Sequence, residues 1–331
     1  MSPPDPFGLP VSASDLRRLE ETLAKVVLWG DPFVDEIATH LIAAGGKRLR
    51  PVLTLAAASG SGSPVSEEAV LGAVSVELVH LASLYHDDVM DEATERRNVV
   101  SVNGRWGNLL AVVVGDFLLA RSAEIAASLG TEIAGILATT LGRLTQGQVA
   151  EVRSAYRIDR SEDAYFSAIA DKTGALMATS CRIGAITGGL DTRDAEALTD
   201  YGENLGIVFQ IRDDILDVIA SEGEAGKPPG QDLAEGIYTL PVQRALSDAD
   251  VGTELRSILG KPLDPAEVGL ARRLVTDCDA INSSRAVASA YADKAAHATN
   301  RISDTELARA LSELGGRLVD DIDRSRRAFA S

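Results

Sequence analysis

The sequence predicts an all-α protein, a single domain over residues 1–331 built as a bundle of roughly ten or more helices. Three observations carry that expectation. Apolar residues recur three and four apart along most of the chain, the repeat of one helix face. Period-two alternation bounded by hairpin signals is almost absent. Aromatic residues make up only 4% of a chain that is 45% hydrophobic, and alanine is abundant, a composition that lets helices pack closely.

Taken in order, the first fourteen residues are rich in proline and read as irregular. Helical periodicity then runs through roughly 15–28, 32–43, 65–86, 105–128, 131–153, 162–187 and 194–220, with two or three more stretches between 236 and 328. Asp15, Ser66, Ser161 and Asp194 are the expected N-caps. Glu67 and Glu68 suit the positive end of the helix dipole, while Ala69 stands where a capping box would need an acid or amide. "SGSGSP" (59–64) and "EGEAGKPPGQ" (222–231) are the clearest breaks. Length alone favours two domains, but no stretch reads as an interdomain linker.

Composition narrows the function. A net charge of −17 argues against nucleic acid as a main partner. Cys181 and Cys278 are too few for a disulfide framework or a cysteine zinc site, so a reducing, cytoplasmic setting is expected. The N-terminal "MSPPDPFGLPVSASD" lacks the basic and apolar regions of a secretory signal. "NLLAVVVGDFLLA" is broken by Gly115 and Asp116 and falls short of a membrane span, so no transmembrane segment is expected.

Two acidic clusters share one spacing: Asp87, Asp88 and Asp91 in "HDDVMD", and Asp213, Asp214 and Asp217 in "RDDILD". Residues four apart lie on one helix face, so Asp87 and Asp91 pair, as do Asp213 and Asp217. Acidic pairs of this kind are common on solvated helices. Here both sit in apolar sequence, where uncompensated like charges are strongly unfavourable. Oxygen ligands without a Cys or His cluster point to Mg2+, which takes phosphate oxygens beside one or two carboxylates. Two acidic helix ends thus suggest a diphosphate bridged by Mg2+.

Basic residues come in compact sets. "GGKRLRP" (45–51) places Lys47, Arg48 and Arg50 after two glycines, which allow close backbone approach to an anion. Arg96 and Arg97 follow the first acidic cluster, and adjacent side chains of this kind can serve two different phosphate groups. Lys172 and Thr173 lie in "DKTG", Lys227 in the long loop after the second cluster, and His80 two turns before Asp87. A solvated lysine or a satisfied core histidine is the ordinary alternative at each of these last positions.

The ordered set "GGKRLRP", "HLASLYHDDVMDEATERR", "DKTG", "FQIRDDILD" and "GKPPGQDLAEGIYTLP" resembles the trans-polyprenyl diphosphate synthases, over residues 45–241. The resemblance implies the isoprenoid synthase fold, helices packed around a central cavity, usually as a homodimer. It implies condensation of an allylic diphosphate primer with isopentenyl diphosphate, with three Mg2+ ions when substrate is bound. Position by position, Asp87, Asp91 and Asp213 correspond to metal ligands, supported by Asp88, Asp214 and Asp217. Arg96, Lys172 and Lys227 correspond to the allylic diphosphate site, with Thr173 and Gln210 facing the allylic carbon. Gly46, Lys47, Arg50, His80 and Arg97 correspond to the isopentenyl diphosphate site. Ile237 stands where the family often has lysine, and "NVVSVN" lacks the glycine and proline often found after the arginines.

The growing chain is expected to run down an open tunnel along the helix that carries the first cluster, past Ser83, Ala82, Val79, Val76 and Ser75. Ser75 lies about 18 Å from Asp87 along that helix. Small side chains at Ala82 and Ser83, where short-chain members tend to place an aromatic floor, favour a heptaprenyl to nonaprenyl product. The alternatives are a short-chain synthase making farnesyl or geranylgeranyl diphosphate, a terpene cyclase, and a regulatory subunit of a heteromeric synthase. The cyclase has no need of "GGKRLRP" and usually lacks a second "DDILD". Regulatory subunits typically lose the aspartates.

Overall fold

The computed structural model describes residues 7–220 and 229–329. In chain order its elements are α1 (Ala13–Val26), α2 (Pro32–Ala43), α3 (Leu49–Ser59), α4 (Glu67–Met90), the short strands β1 (Glu95–Arg96) and β2 (Val99–Val100), α5 (Val102–Trp106), α6 (Asn108–Ser128) and α7 (Thr131–Ser154). They continue with α8 (Glu162–Ile169), a π-helical turn (Ala170–Gly174), α9 (Ala175–Gly188), α10 (Thr192–Ile219) and α11 (Gln231–Ala234). The last are α12 (Leu240–Leu246), α13 (Gly252–Ile258), α14 (Pro265–Thr276), α15 (Ala280–Thr299) and α16 (Thr305–Phe329). The all-α expectation holds. The backbone groups into two compact units: Met1–Leu141 with Leu176–Asp200 and Thr299–Leu311, and Gly142–Ala175 with Tyr201–Ala298 and Ser312–Ser331.

In the first unit α4 is the central element. From Ala69 to Ala82 every residue except Leu71 and His80 is buried. A helix apolar on all sides belongs inside a core. By length and composition alone α4 qualifies as a membrane span, contrary to the sequence expectation that no stretch would. Its apolar window is 72% buried within the protein, the environment of a core helix. Leu19 and Leu23 of α1, Ile37 and Leu41 of α2, Leu55 of α3 and Leu118 of α6 close around Val74, Leu78 and Leu81. Helix α9 approaches α3 through Gly184 and Gly188. A Cβ on Gly184 would lie 2.2 Å from the Thr54 carbonyl oxygen, and one on Gly188 2.6 Å from that of Ala58. This is the close packing that the alanine- and glycine-rich composition allows.

The second unit shows the same device. A Cβ on Gly206 of α10 would lie 2.6 Å from Gly174 Cα, and one on Gly147 of α7 2.7 Å from the Lys172 backbone nitrogen. Two glycines thus press backbone against backbone on the π-helical turn.

The caps divide evenly. Ser66 and Ser161 accept from the Ala69 and Ala164 N–H groups, as expected. Ser12, not Asp15, caps α1, and Asp15 sits in its first turn. At α10 the capping carboxylate is Asp191, which accepts from the Asp194 N–H at 2.9 Å. Asp194 itself is buried and accepts from the backbone and hydroxyl of Ser303. Two periodic stretches are also interrupted. Gly107, at φ +87°, separates α5 from α6 inside what reads as one helix, and the π turn separates α8 from α9.

Candidate active site

The "GGKRLRP" segment links α2 to α3. Gly46 and Lys47 are exposed and Arg50 half-buried. Arg48 adopts a left-handed backbone, φ 54°, and turns inward. Its guanidinium donates to Glu20 at 2.8 and 3.3 Å, to Glu77 at 2.9 Å and to the Ile42 carbonyl at 3.2 Å. Burial works to lower the Arg48 pKa, but the two carboxylates outweigh it and the net direction is up. Glu77 is fully buried on α4, and burial raises its pKa against the pull of Arg48, Arg50 and Arg97. One turn further along, burial and then Arg50, Arg97, Arg48 and Arg96 drive His80 well below its ordinary value. The same surroundings that keep His80 neutral, a concentration of arginine charge, favour an anion nearby.

Past α4 the chain forms a small antiparallel hairpin, Glu95 opposite Val100 and Arg96 opposite Val99. Its turn residues Arg97 and Asn98 both have left-handed backbones, φ 53° and 61°, the mirror-image turn that matches strand twist. The two arginines diverge as expected. Arg96 donates to Asp88 at 2.7 Å through Nε, with a terminal nitrogen at 2.5 Å. Arg97 reaches back to the carbonyls of Leu41, at 3.2 Å, and Gly45. Its guanidinium lies against Gly46, where a Cβ would stand 2.9 Å from one of its nitrogens.

This splits the first acidic cluster. Asp88 is wholly buried and engaged with Arg96. Asp87 is half-buried and Asp91 exposed, one turn apart at the end of α4. Ser75, Val76, Val79 and Ala82 are all buried, and Ser83 is half-buried with its hydroxyl on the His80 carbonyl. The Ser75 carbonyl accepts from Ser122 of α6 at 2.7 Å. Tyr85 donates to the Ile37 carbonyl on α2 at 2.8 Å.

In the second unit the π turn carries "DKTG". A π turn holds an extra residue and opens the helix, often at functional positions. Arg143 of α7 braces it, donating to Asp171 at 2.8 Å and to Glu203 of α10 at 2.7 Å. Lys172 pairs with Glu151 of α7. Thr173 donates to Gln210 at 2.7 Å, Gln210 to Asp214 at 2.8 Å, and Tyr165 of α8 to the same carboxylate at 2.5 Å. Burial pushes the Asp214 carboxyl up to about 7, against the pull of those two donors.

The second cluster divides as the first does. Asp214 is buried, while Asp213 and Asp217 are half-buried. Arg212 contacts Asp213 at 2.5 Å and also pairs with Asp321 of α16. Asp217 accepts from the N–H groups of Gln231 and Asp232, at 3.2 and 3.3 Å, tying the start of α11 to α10. Lys227 lies outside the described residues.

The carboxylates of each unit are hard oxygen donors, the kind a divalent cation takes. Among the described residues no three His, Cys, Asp or Glu side chains converge on one point. A few partly exposed carboxylates without a soft ligand are what a hard, well-hydrated cation shared with phosphate oxygens requires. Several residues of these networks escaped the sequence reading: Tyr165, Arg143, Glu151, Arg212 and Glu77. Only Glu77 carried a signal, a lone carboxylate in the apolar run "AVSVELVHL", where burial demands a partner.

The family model described as polyprenyl synthetase matches residues 31–276. The chain is 36% identical over 299 residues to a nonaprenyl diphosphate synthase of Mycobacterium tuberculosis, covering 90% of this chain and 89% of the relative. It is 40% identical over 286 residues to heptaprenyl diphosphate synthase component 2 of Geobacillus stearothermophilus, covering 86% and 89%. A polyprenyl synthase of Caulobacter crescentus, solved with calcium and isoprenyl diphosphate, superposes with a TM-score of 0.90 at 32% identity over 96% of this chain and 98% of that one. By its sequence over most of its length, and by the fold that carries its motifs, the chain belongs to the polyprenyl synthetase family.

Proposed function

We propose that the protein condenses isopentenyl diphosphate with an allylic diphosphate, releasing pyrophosphate, and repeats the step to an all-trans heptaprenyl to nonaprenyl diphosphate. The observation that carries this reading is the set of arginine charges, Arg48, Arg50, Arg96 and Arg97, that bear on His80 in a chain that also keeps both acidic clusters. A second diphosphate pocket is what an elongating enzyme needs and a cyclase does not. The retained aspartates weigh against a non-catalytic subunit.

Gly46, Lys47, Arg50, His80 and Arg97 hold the isopentenyl diphosphate in this account. Arg96, Lys172 and Lys227 hold the allylic diphosphate. Asp87, Asp91 and Asp213 are the metal ligands. When bound, Mg2+ neutralises charge growing on the leaving pyrophosphate. Thr173 and Gln210 face the allylic cation as the carbon–oxygen bond breaks. The isopentenyl double bond attacks that cation, and the departing pyrophosphate takes the released proton. Closing the site against water prevents capture of the cation.

Product length rests on α4. No aromatic side chain stands at Ala82 or Ser83, and nearby Tyr85 is committed to α2. A long chain growing past Ala82 has to part the side chains packed there. A cytoplasmic homodimer completes the reading, supported by exposed Leu109 and Val113, one turn apart on α6, and by unbonded Cys181 and Cys278.

The test is substitution of the ligands. Asp87→Asn and Asp213→Asn should each lower kcat/KM by about 100-fold or more in a Mg2+-dependent assay. Turnover unchanged in both variants would contradict the assignment.

A further inference from the structure

Resting on the reading that Thr173 faces the allylic carbon, we propose that Tyr165 and Asp214 form a polarity relay. Through Gln210 it leaves the Thr173 oxygen as a pure acceptor toward the developing cation. A glutamine amide is nearly symmetric in shape, and a half-turn about its last bond exchanges its oxygen and nitrogen. Left alone, Gln210 would offer Thr173 either an acceptor or a donor. Asp214 removes that freedom. Its Oδ1 accepts from the Gln210 amide nitrogen at 2.8 Å, which turns the amide oxygen toward Thr173. Thr173 then gives its only hydroxyl hydrogen to that oxygen, at 2.7 Å, and keeps its lone pairs for whatever lies on its other side. A lone pair stabilises an adjacent carbocation, whereas an O–H dipole aimed the other way repels it.

Tyr165 completes the relay. Its hydroxyl donates to Asp214 Oδ2 at 2.5 Å and so anchors the far side of the carboxyl group. Tyr165, Thr173 and Asp214 are all at least 95% buried, and Gln210 between them is half-buried. Asp214 thereby acts as a positioning residue, not as the support for a metal ligand that its place beside Asp213 implies.

The experiment uses the full chain with farnesyl diphosphate, isopentenyl diphosphate and Mg2+. The variants are Tyr165→Phe, Asp214→Asn, Thr173→Val, Thr173→Ser, and the Tyr165→Phe/Thr173→Val pair. Asparagine can present its own amide to Gln210 and permit the reversed orientation, so Asp214→Asn should lower kcat by about 100-fold and Tyr165→Phe by about tenfold. Both KM values and the Mg2+ concentration for half-activity should stay within about twofold, and Thr173→Ser, which keeps the hydroxyl, should restore most of the activity lost in Thr173→Val. The double variant should be no slower than Thr173→Val alone, because both act on one relay. Additive losses in the double variant would overturn the relay. A raised Mg2+ requirement in Asp214→Asn, with kcat intact at saturation, would return Asp214 to the metal. If Asp214→Asn fails to fold, Gln210→Met, which cuts the middle link, must show the same non-additivity with Tyr165→Phe or the relay is wrong. Absence of turnover by the unaltered chain would overturn the underlying reaction, and the relay with it.

Discussion

His80 shows how a single side chain couples to its surroundings. Burial and four arginines hold it neutral, so its folded pKa lies below the unfolded one. Below about pH 6.5, the ordinary histidine value, the unfolded chain binds a proton that folded His80 refuses. The contribution to stability is therefore full above that value and is lost as pH falls through it. Urea unfolding of the ligand-free protein should show this loss between pH 7.5 and 5.5, and His80→Gln should remove part of it. An equal pH dependence in the variant would assign the effect elsewhere. Gly46 offers a second test. A Cβ there meets the far end of the Arg97 side chain, so the guanidinium moves and the backbone does not. Gly46→Ala should raise the KM for isopentenyl diphosphate about tenfold while changing stability by no more than about 0.5 kcal/mol. Most of these residues were legible as types at spacings: the aspartates, the arginines and the histidine. Their partners were not. Tyr165 and Glu151 come from distant stretches of chain, and only folding brings them to Asp214 and Lys172.

Among the elements, the π turn at Ala170–Gly174 is the least legible in sequence and among the most informative in structure. Periodicity reads 162–187 as one helix, because one extra residue in a single turn barely disturbs a 3.6-residue repeat. What sustains the wider turn is tertiary: Arg143 bridging Asp171 and Glu203, and the glycine contacts from α7 and α10. The contact at Gly206 is with backbone and cannot swing aside. Gly206→Ala should therefore cost about 1–3 kcal/mol in chemical denaturation and lower activity with it. A variant as stable as the parent would mean that the two helices separate freely. The hairpin at Glu95–Val100 escaped the sequence for a different reason. Two-residue strands are too short to show alternation, and the turn uses Arg97 and Asn98 where glycine is the usual signal. By contrast α4 was legible almost throughout, since a long apolar run ending in carboxylates leaves few other structures open to it. Its final turn, through Met90, carries Asp87 and Asp88, with Asp91 as the C-cap.

At the scale of the whole molecule, a strongly acidic chain has gathered its cations locally. A net charge of −17 excludes broad anion attraction, yet Arg48, Arg50, Arg96 and Arg97 all bear on His80. Composition alone gives the first fact and hides the second. The all-helical class and the family were legible because the motifs occur in order over residues 45–241, and the matched family region, 31–276, encloses them. The division of the backbone into two compact units was not, because no linker marks it in the sequence. Chain length is the property that belongs to the molecule as a whole. Ala82→Phe places a ring on the buried face of α4 and should shorten the product by several isoprene units; an unchanged product would show that the growing chain takes another path. The most direct measurement of the central claim is to incubate the unaltered protein with isopentenyl diphosphate, Mg2+ and each allylic primer in turn, and to size the products by chromatography. The account predicts an all-trans ladder ending at heptaprenyl to nonaprenyl diphosphate and abolished by chelation of the metal. No elongated product from any primer would contradict it.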